Sequence, residues 1–332
     1  MATLQEDAVV ATTDPAPTIP PGDHTPGHWA MGWRRFKRDR FLVLIGLPGM
    51  VLLLVFQYLP LLGTIIAFKD YQPYIGILDS PWVGLENFRV IFNGDPLLMN
   101  ALKNTLIISL IQIVIAFPVP IALALLLNSL LSENIKRVVQ SVLYLPHFLS
   151  WVVIVAIFQH LLGSAGLVNT GLRDLGLPTL QLIGNPDLFI PLISAQVIWK
   201  DAGWGTIIFL AALSRVDASL YEAASVDGAS RMRQMWHVTL PAIRGVAVLL
   251  LILRLGDALT VGFEQIILQQ PAVGLVASEV LDTYVYNNGI IGGAWGVATA
   301  VGLVKAAVGI ILILGANRLA HAMGESGLYT RG

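Results

Sequence analysis

The chain has 332 residues, of which 55% are hydrophobic and only 12% charged, with a mean hydropathy of +0.73 and a formal net charge of -1. That composition lies outside the range of soluble globular domains and predicts an all-α polytopic membrane protein, and the near-zero net charge gives no global reason to expect nucleic-acid binding. The absence of cysteine excludes disulfides, thiolate metal sites and cysteine nucleophiles together.

Residues 1–33 are polar and rich in Pro, Thr and Asp over most of their length, too poor in apolar surface to offset the entropy of ordering, which predicts a disordered tail. The cluster WRRFKRDR ends at Arg40, and an apolar run begins at Phe41 that is too long for a signal-peptide core and has no A-x-A site after it, so it reads as an uncleaved first span. A hydrocarbon core of about 30 Å needs about 20 mostly apolar residues per helix. Six segments meet that length: 41–68, 104–128, 138–162, 188–213, 240–262 and 294–319. Pro118, Pro120 and Pro146 fall inside the second and third of them, so kinked helices are expected there.

Lysine and arginine are retained on the cytoplasmic side of short loops. Arg34, Arg35, Lys37, Arg38, Arg40, Lys136, Arg137, Arg215, Arg231, Arg233, Arg244, Arg318 and Arg331 lie on one side, and Lys69, Arg89, Lys103 and Arg173 on the other. This places both termini in the cytoplasm, including a tail over 323–332, and makes 214–240 a cytoplasmic loop. The segment 263–293, which has neither Lys nor Arg, is expected outside.

Within that loop the stretch LYEAASVDGASRMRQMWHVTLP carries helix signals. Ser219 and Glu222 have the spacing of a capping box, Asp217 is an alternative N-cap, and Gly228 can supply the left-handed residue that ends a helix. A second helical run over 230–237 leads to Pro241. Small side chains between Tyr221 and Val226 suit a helix that docks into a groove on another protein.

The pattern Glu222-Ala223-Ala224, three residues, Gly228, nine residues, Val238, one residue, Leu240-Pro241 resembles the EAA loop of the membrane subunits of binding-protein-dependent ABC importers, with Val238 where that family carries Ile. The runs VIWKDAGWGTIIFLAALSRVDASLYEAASVDGA and GFEQIILQQPAV, with SEVLDTYVYNNGI further on, resemble the carbohydrate branch, particularly permeases for oligosaccharides such as aldouronates. The resemblance covers nearly everything from Arg34 onward. It implies a type I importer transmembrane domain over 34–322 in a bacterial plasma membrane, surrounded by lipid. It also implies a second and different permease subunit, two ATPase subunits, an extracytoplasmic solute-binding protein and a sugar substrate. Glu222, Ala223, Ala224, Gly228, Leu240 and Pro241 would then couple the chain to an ATPase.

The chain has no chemistry of its own to match an ATPase. Its six lysines, 37, 69, 103, 136, 200 and 305, are never preceded by glycine, so no P-loop exists, and no catalytic, cofactor or metal-binding motif is found. His147 and His160 lie in an apolar span, where packing roles are expected. Charged residues inside spans are costly and informative: Lys200 and Asp201 in the fourth, Arg254 and Asp257 in the fifth, Lys305 in the sixth. They are expected to pair, with Arg254 and Asp257 on one helix face and within reach of each other or of Lys200 and Asp201. Two readings stay open: an ion-pair network holding the bundle, or a polar path in which Lys200 or Arg254 meets a sugar beside Trp199 and Trp204. The tryptophans themselves also fit interfacial anchoring. Gly292 and Gly296 have the spacing of a close helix contact, a candidate seam with the partner permease. The competing function is an ion-coupled secondary transporter using the intramembrane Lys and Asp, although no inverted repeat is recognisable.

Overall fold

The computed structural model describes residues 28–130, 132–325 and 327–329. Among these every regular element is helical, apart from one isolated antiparallel bridge between Lys69 and Trp82. The chain divides into two units, 1–62 and 63–332. In the first, α1 (His28–Leu53) starts inside the stretch expected to be a tail, so the disorder expected for 28–33 is not observed; 1–27 lie outside the described residues. The apolar run Val43–Phe68 is long enough to cross a membrane.

In the second unit the next crossing, Pro96–Asn128, starts eight residues before the expected Asn104 because Asp95 caps it, its carboxylate accepting from the backbone N–H groups of Leu97 and Leu98 at 2.8 and 3.1 Å. It consists of α2 (Pro96–Ile111) and α3 (Pro118–Asn128), joined by a π turn over Gln112–Ala116. Similar π turns occupy Leu54–Tyr58 and Met235–Thr239. Each ends two residues before a proline, Pro60, Pro118 or Pro241, and in each the residue just before that proline donates its N–H five positions back. Proline has no N–H and its ring crowds the carbonyl four residues earlier, so widening the preceding turn relieves the clash without breaking the run.

The third crossing differs from the expected kinked helix over 138–162. Over that stretch the chain forms two helices, α4 (Glu133–Tyr144) and α5 (Trp151–Leu162), separated by a 3-10 turn over Leu145–Phe148 and an extended Leu149, and the run long and apolar enough to cross a membrane is Trp151–Asp174. A turn then leads to α6 (Leu167–Asp174). The fourth crossing, α7 (Phe189–Leu213), is followed after four residues by α8 (Ala218–Val226), bent from it by 74°. The fifth crossing runs Arg231–Gly256 and includes α9 (Leu240–Gly256), so the second helical run of the loop is continuous with the span. Its end comes six residues before the expected Gly262. Then follow α10 (Phe263–Val273), flanked by Gly262 and Gly274 at φ +114° and +80°, and the last crossing, α11 (Trp295–Ala322).

The helices pack around α7. Phe209 and Leu213 meet Ala124 of α3 and Ile243 of α9, and Gly205 lies against Pro120. On the other half of α7, Phe189 and Ile193 meet Ile108, Val261, Ile266 and Val280. The segment 263–293 is therefore no surface loop, since Val280, Leu281, Thr283 and Tyr284 are buried against α2 and α11. Gly296 is buried by this chain itself: a Cβ there would lie 2.8 Å from both Asn87 Cγ and the Lys69 carbonyl oxygen. Gly296 thus serves internal packing, whereas Gly292 is exposed at the end of the preceding turn. The described part of the C-terminal tail folds back, with Glu325 bridging Arg244 at 3.0 Å.

Candidate functional site: the bent helix and the intramembrane charges

The start of α8 is set by Asp217, whose carboxylate accepts from the Ser219 N–H at 2.9 Å, so the alternative cap forms and the Ser219–Glu222 box does not. Those bonds hold the Asp217 carboxyl below its ordinary range. The end is a Schellman turn. Gly228, at φ +74°, donates to the Ser225 carbonyl at 3.0 Å and Ala229 donates to that of Ala224 at 2.9 Å. One face of α8 is latched to the foot of the fifth crossing: the Tyr221 hydroxyl lies 3.1 Å from Thr239 Oγ1, and Gln234 Nε2 donates to Ser225 Oγ at 2.9 Å. The opposite face, with Glu222, Ala223 and Val226, is exposed, Val226 by 88%. On the latched side, next to Tyr221, lies an apolar groove of about 680 Å³ lined by Leu125 and Leu126 of α3 and by Met232 and Met235. Leu240 and Pro241 do not join the exposed face; they sit at the foot of α9, where Pro241 forces the π turn.

The intramembrane charges find partners other than those expected. Lys200 Nζ donates to the carbonyl oxygens of His147 and Leu149 at 2.8 and 2.6 Å and lies 5.4 Å from the Trp151 ring centroid. Asp201 Oδ1 is 3.0 Å from His147 Nδ1, and the His147 ring stacks on Trp204 at 4.6 Å with 7° between planes. Trp199 is turned elsewhere, edge-on to Phe158 at 5.7 Å. Arg254 donates to the side-chain oxygen of Gln112. No ion pair joins Arg254 to Asp257 among the described residues, because α9 ends at Gly256 and the C-cap Asp257 leaves the helical register. Lys305 pairs with Asp282 from the folded-back segment. His147 has the hydrogen-bonded packing role expected of it, and His160 is exposed.

Sequence reading missed a cluster of neutral polar side chains. Gln196 on α7 accepts from Gln265 and Gln269 of α10 at 2.7 and 3.0 Å. Buried Glu279 accepts from Gln270 at 3.0 Å and from Asn287 at 3.2 Å, and Asn104 donates to the Glu279 carbonyl at 2.9 Å. Burial pushes the Glu279 carboxyl above its ordinary range, with bonds from Asn287, Thr283 and Gln270 pulling it part of the way back. The signal was present in the glutamines of FEQIILQQPAV, where Gln265 and Gln269 share a helix face.

The arrangement holds helices together and leaves one face of α8 bare; no group of three or more His, Asp or Glu able to hold a metal occurs among the described residues. Residues 115–324 match the family described as binding-protein-dependent transport system inner membrane component. The polygalacturonan/rhamnogalacturonan transport system permease protein YteP of Bacillus subtilis (strain 168) is 48% identical over 88% of this chain and 91% of its own. Protein LplB of the same organism is 46% identical over 88% and 92%. The solved structure of a bacterial alginate ABC transporter in complex with alginate pentasaccharide-bound periplasmic protein contains a chain 36% identical, covering 89% of this one and 99% of that one, with a TM-score of 0.81. On these grounds the ion-coupled reading is set aside, and the chain belongs to the binding-protein-dependent transport system inner membrane component family as a multi-pass permease subunit of an ABC importer, a transport component and not an enzyme.

Proposed function

We propose that this permease carries an oligosaccharide, handed over by an extracytoplasmic binding protein, along a path shared with a second, different permease subunit, and that ATPase subunits drive it through α8. The observation that carries the reading is α8 itself, an exposed helix set at 74° to the crossing it follows. A helix latched on one face to its own bundle and bare on the other suits a partner that must push without entering the membrane. Arg215 lies in the turn before α8 and Arg231 and Arg233 begin the fifth crossing just after it, which fits a cytoplasmic location for it and for both termini.

Asp201 and Trp204 support the path. Their side chains stay partly open, Trp204 by 45%, at a level of α7 where a carboxylate facing lipid is strongly disfavoured. That side of α7 then faces a polar path or the second permease. YteP and the alginate transporter are named for acidic polysaccharides, and Arg254, which donates to the neutral amide of Gln112 and forms no direct ion pair among the described residues, offers a cation to an acidic sugar. We assign uronate-containing oligosaccharides as the substrate class.

The test uses Ala223→Trp, which adds bulk to the exposed face of α8 without touching the bundle. Membrane levels should match the natural chain, while co-purified ATPase subunit and uptake of labelled oligogalacturonate should both fall. Normal ATPase recovery and normal uptake would sink the role of α8. Uptake of neutral oligosaccharides in place of oligogalacturonate would leave that role standing and overturn the substrate class.

A further inference from the structure

The break in the third crossing raises a physical problem that a loop in water would not. After Tyr144 the chain makes a 3-10 turn through Pro146, becomes extended at Leu149 with ψ 140°, and restarts as a helix capped by Ser150. The end of α4 packs against Gly203, midway along α7, so the break lies at the middle level of that helix. Carbonyls released at a helix end inside a membrane protein have no water to turn to and need internal donors. Two of them, on His147 and Leu149, receive the ammonium of Lys200. The remaining side of that ammonium faces Trp151.

The neighbouring positions of α7 grip the same segment. Asp201 holds the His147 ring at 3.0 Å and Trp204 stacks under it. Gly203, between them, has no side chain, and a Cβ there would lie 2.5 Å from the Leu143 carbonyl carbon and 3.1 Å from the Tyr144 nitrogen. Lys200, Asp201, Gly203 and Trp204 therefore bind residues 143–149 by hydrogen bonds, stacking and direct backbone contact.

We propose that Lys200 is a positioning residue that caps the broken third crossing and fastens the break to α7, so that the break moves with α7 and α8 as one body. The proposal rests on the reading that α8 is the driven element. Its consequence is that Lys200 does not read the substrate, because its donors are committed to the backbone and to Trp151. The path-facing groups of this turn are those left partly open, Asp201 and Trp204.

The natural chain contains no cysteine, so pairs of spin labels can be introduced without background. Labels at Leu145→Cys and Ile208→Cys, both exposed positions, span the break and α7. In membranes the distance distribution between them is expected to be narrow, and Lys200→Met is expected to broaden it about twofold because the carbonyls lose a charged donor. In the assembled transporter the same substitution is expected to lower maximal uptake about tenfold while KM stays within about twofold. Lys200→Arg, which reaches as far and still donates, is expected to restore both; if Lys200→Met fails to accumulate, a narrow distribution in Lys200→Arg carries the proposal and a broad one overturns it. An unbroadened distribution in Lys200→Met overturns the cap, and a raised KM at unchanged maximal uptake would make Lys200 a substrate ligand. The distance measurement needs neither ATPase nor sugar, so a failure of the transport reading leaves it informative.

Discussion

Replacing Gly203 with alanine puts one methyl group where the structure has no room for it. The new Cβ would lie 2.5 Å from the carbonyl carbon of Leu143, about 1 Å inside ordinary van der Waals contact, and its obstacle is backbone, not a flexible side-chain end. Relief requires α4 to move away from α7 by about that amount, and a shift of about 1 Å takes the Lys200 bonds to His147 and Leu149 beyond hydrogen-bonding distance. Overpacking costs about 1–3 kcal/mol and the lost cap about 1.5–3 kcal/mol. Better helix propensity returns only about 0.5–1 kcal/mol, which leaves Gly203→Ala destabilised by about 2–5 kcal/mol. Gly302 on α11 has nothing within 4 Å of its hypothetical Cβ, so Gly302→Ala gains the propensity without the clash. Thermal unfolding in detergent, followed by size-exclusion chromatography, is expected to show a lower midpoint and less monodisperse protein for Gly203→Ala, and an equal or higher midpoint for Gly302→Ala. A Gly203→Ala protein as stable as the natural chain would mean that the close α4–α7 contact contributes nothing to stability, and the account of the break would fail with it.

Two further outcomes separate the polar groups. Gln112 is buried and accepts from Arg254, whereas Asp257 is exposed and makes no ion pair with it, so Gln112→Leu is expected to lower the amount of folded protein several-fold and Asp257→Ala much less; quantified membrane levels check this, and the reverse order refutes the pairing. For Glu279 the folded state raises the carboxyl pKa, so the native state holds the proton more tightly than the unfolded chain does. The associated stability is fully present below the ordinary carboxylate pKa and is lost as pH rises through the raised value. Melting temperatures recorded between about pH 4 and about pH 8 are expected to fall with pH more steeply for the natural chain than for Glu279→Gln; parallel curves refute the assignment.

The amino-acid sequence by itself determined the features that depend on local composition. Runs such as 104–128 and 294–319 are apolar over a bilayer's thickness, and the capping Asp217 and the terminal Gly228 delimit α8 with no help from distant residues. What only the tertiary structure decided is which side chains meet. Lys200 and His147 are 53 positions apart, Arg254 and Gln112 142, and helical periodicity says which face a residue occupies but not which helix lies opposite. Charge-to-charge pairing was the natural expectation for ions in an apolar bundle. It went unmet for Lys200 because a broken helix supplies carbonyls, which accept from an ammonium as well as a carboxylate does and carry no charge that would mark them in a sequence. The internal packing of 263–293 was invisible in the sequence for the same reason: its glutamine and asparagine amides satisfy one another and Glu279 inside the bundle, and that mutual satisfaction exists only once α7, α10 and the returning chain are packed together.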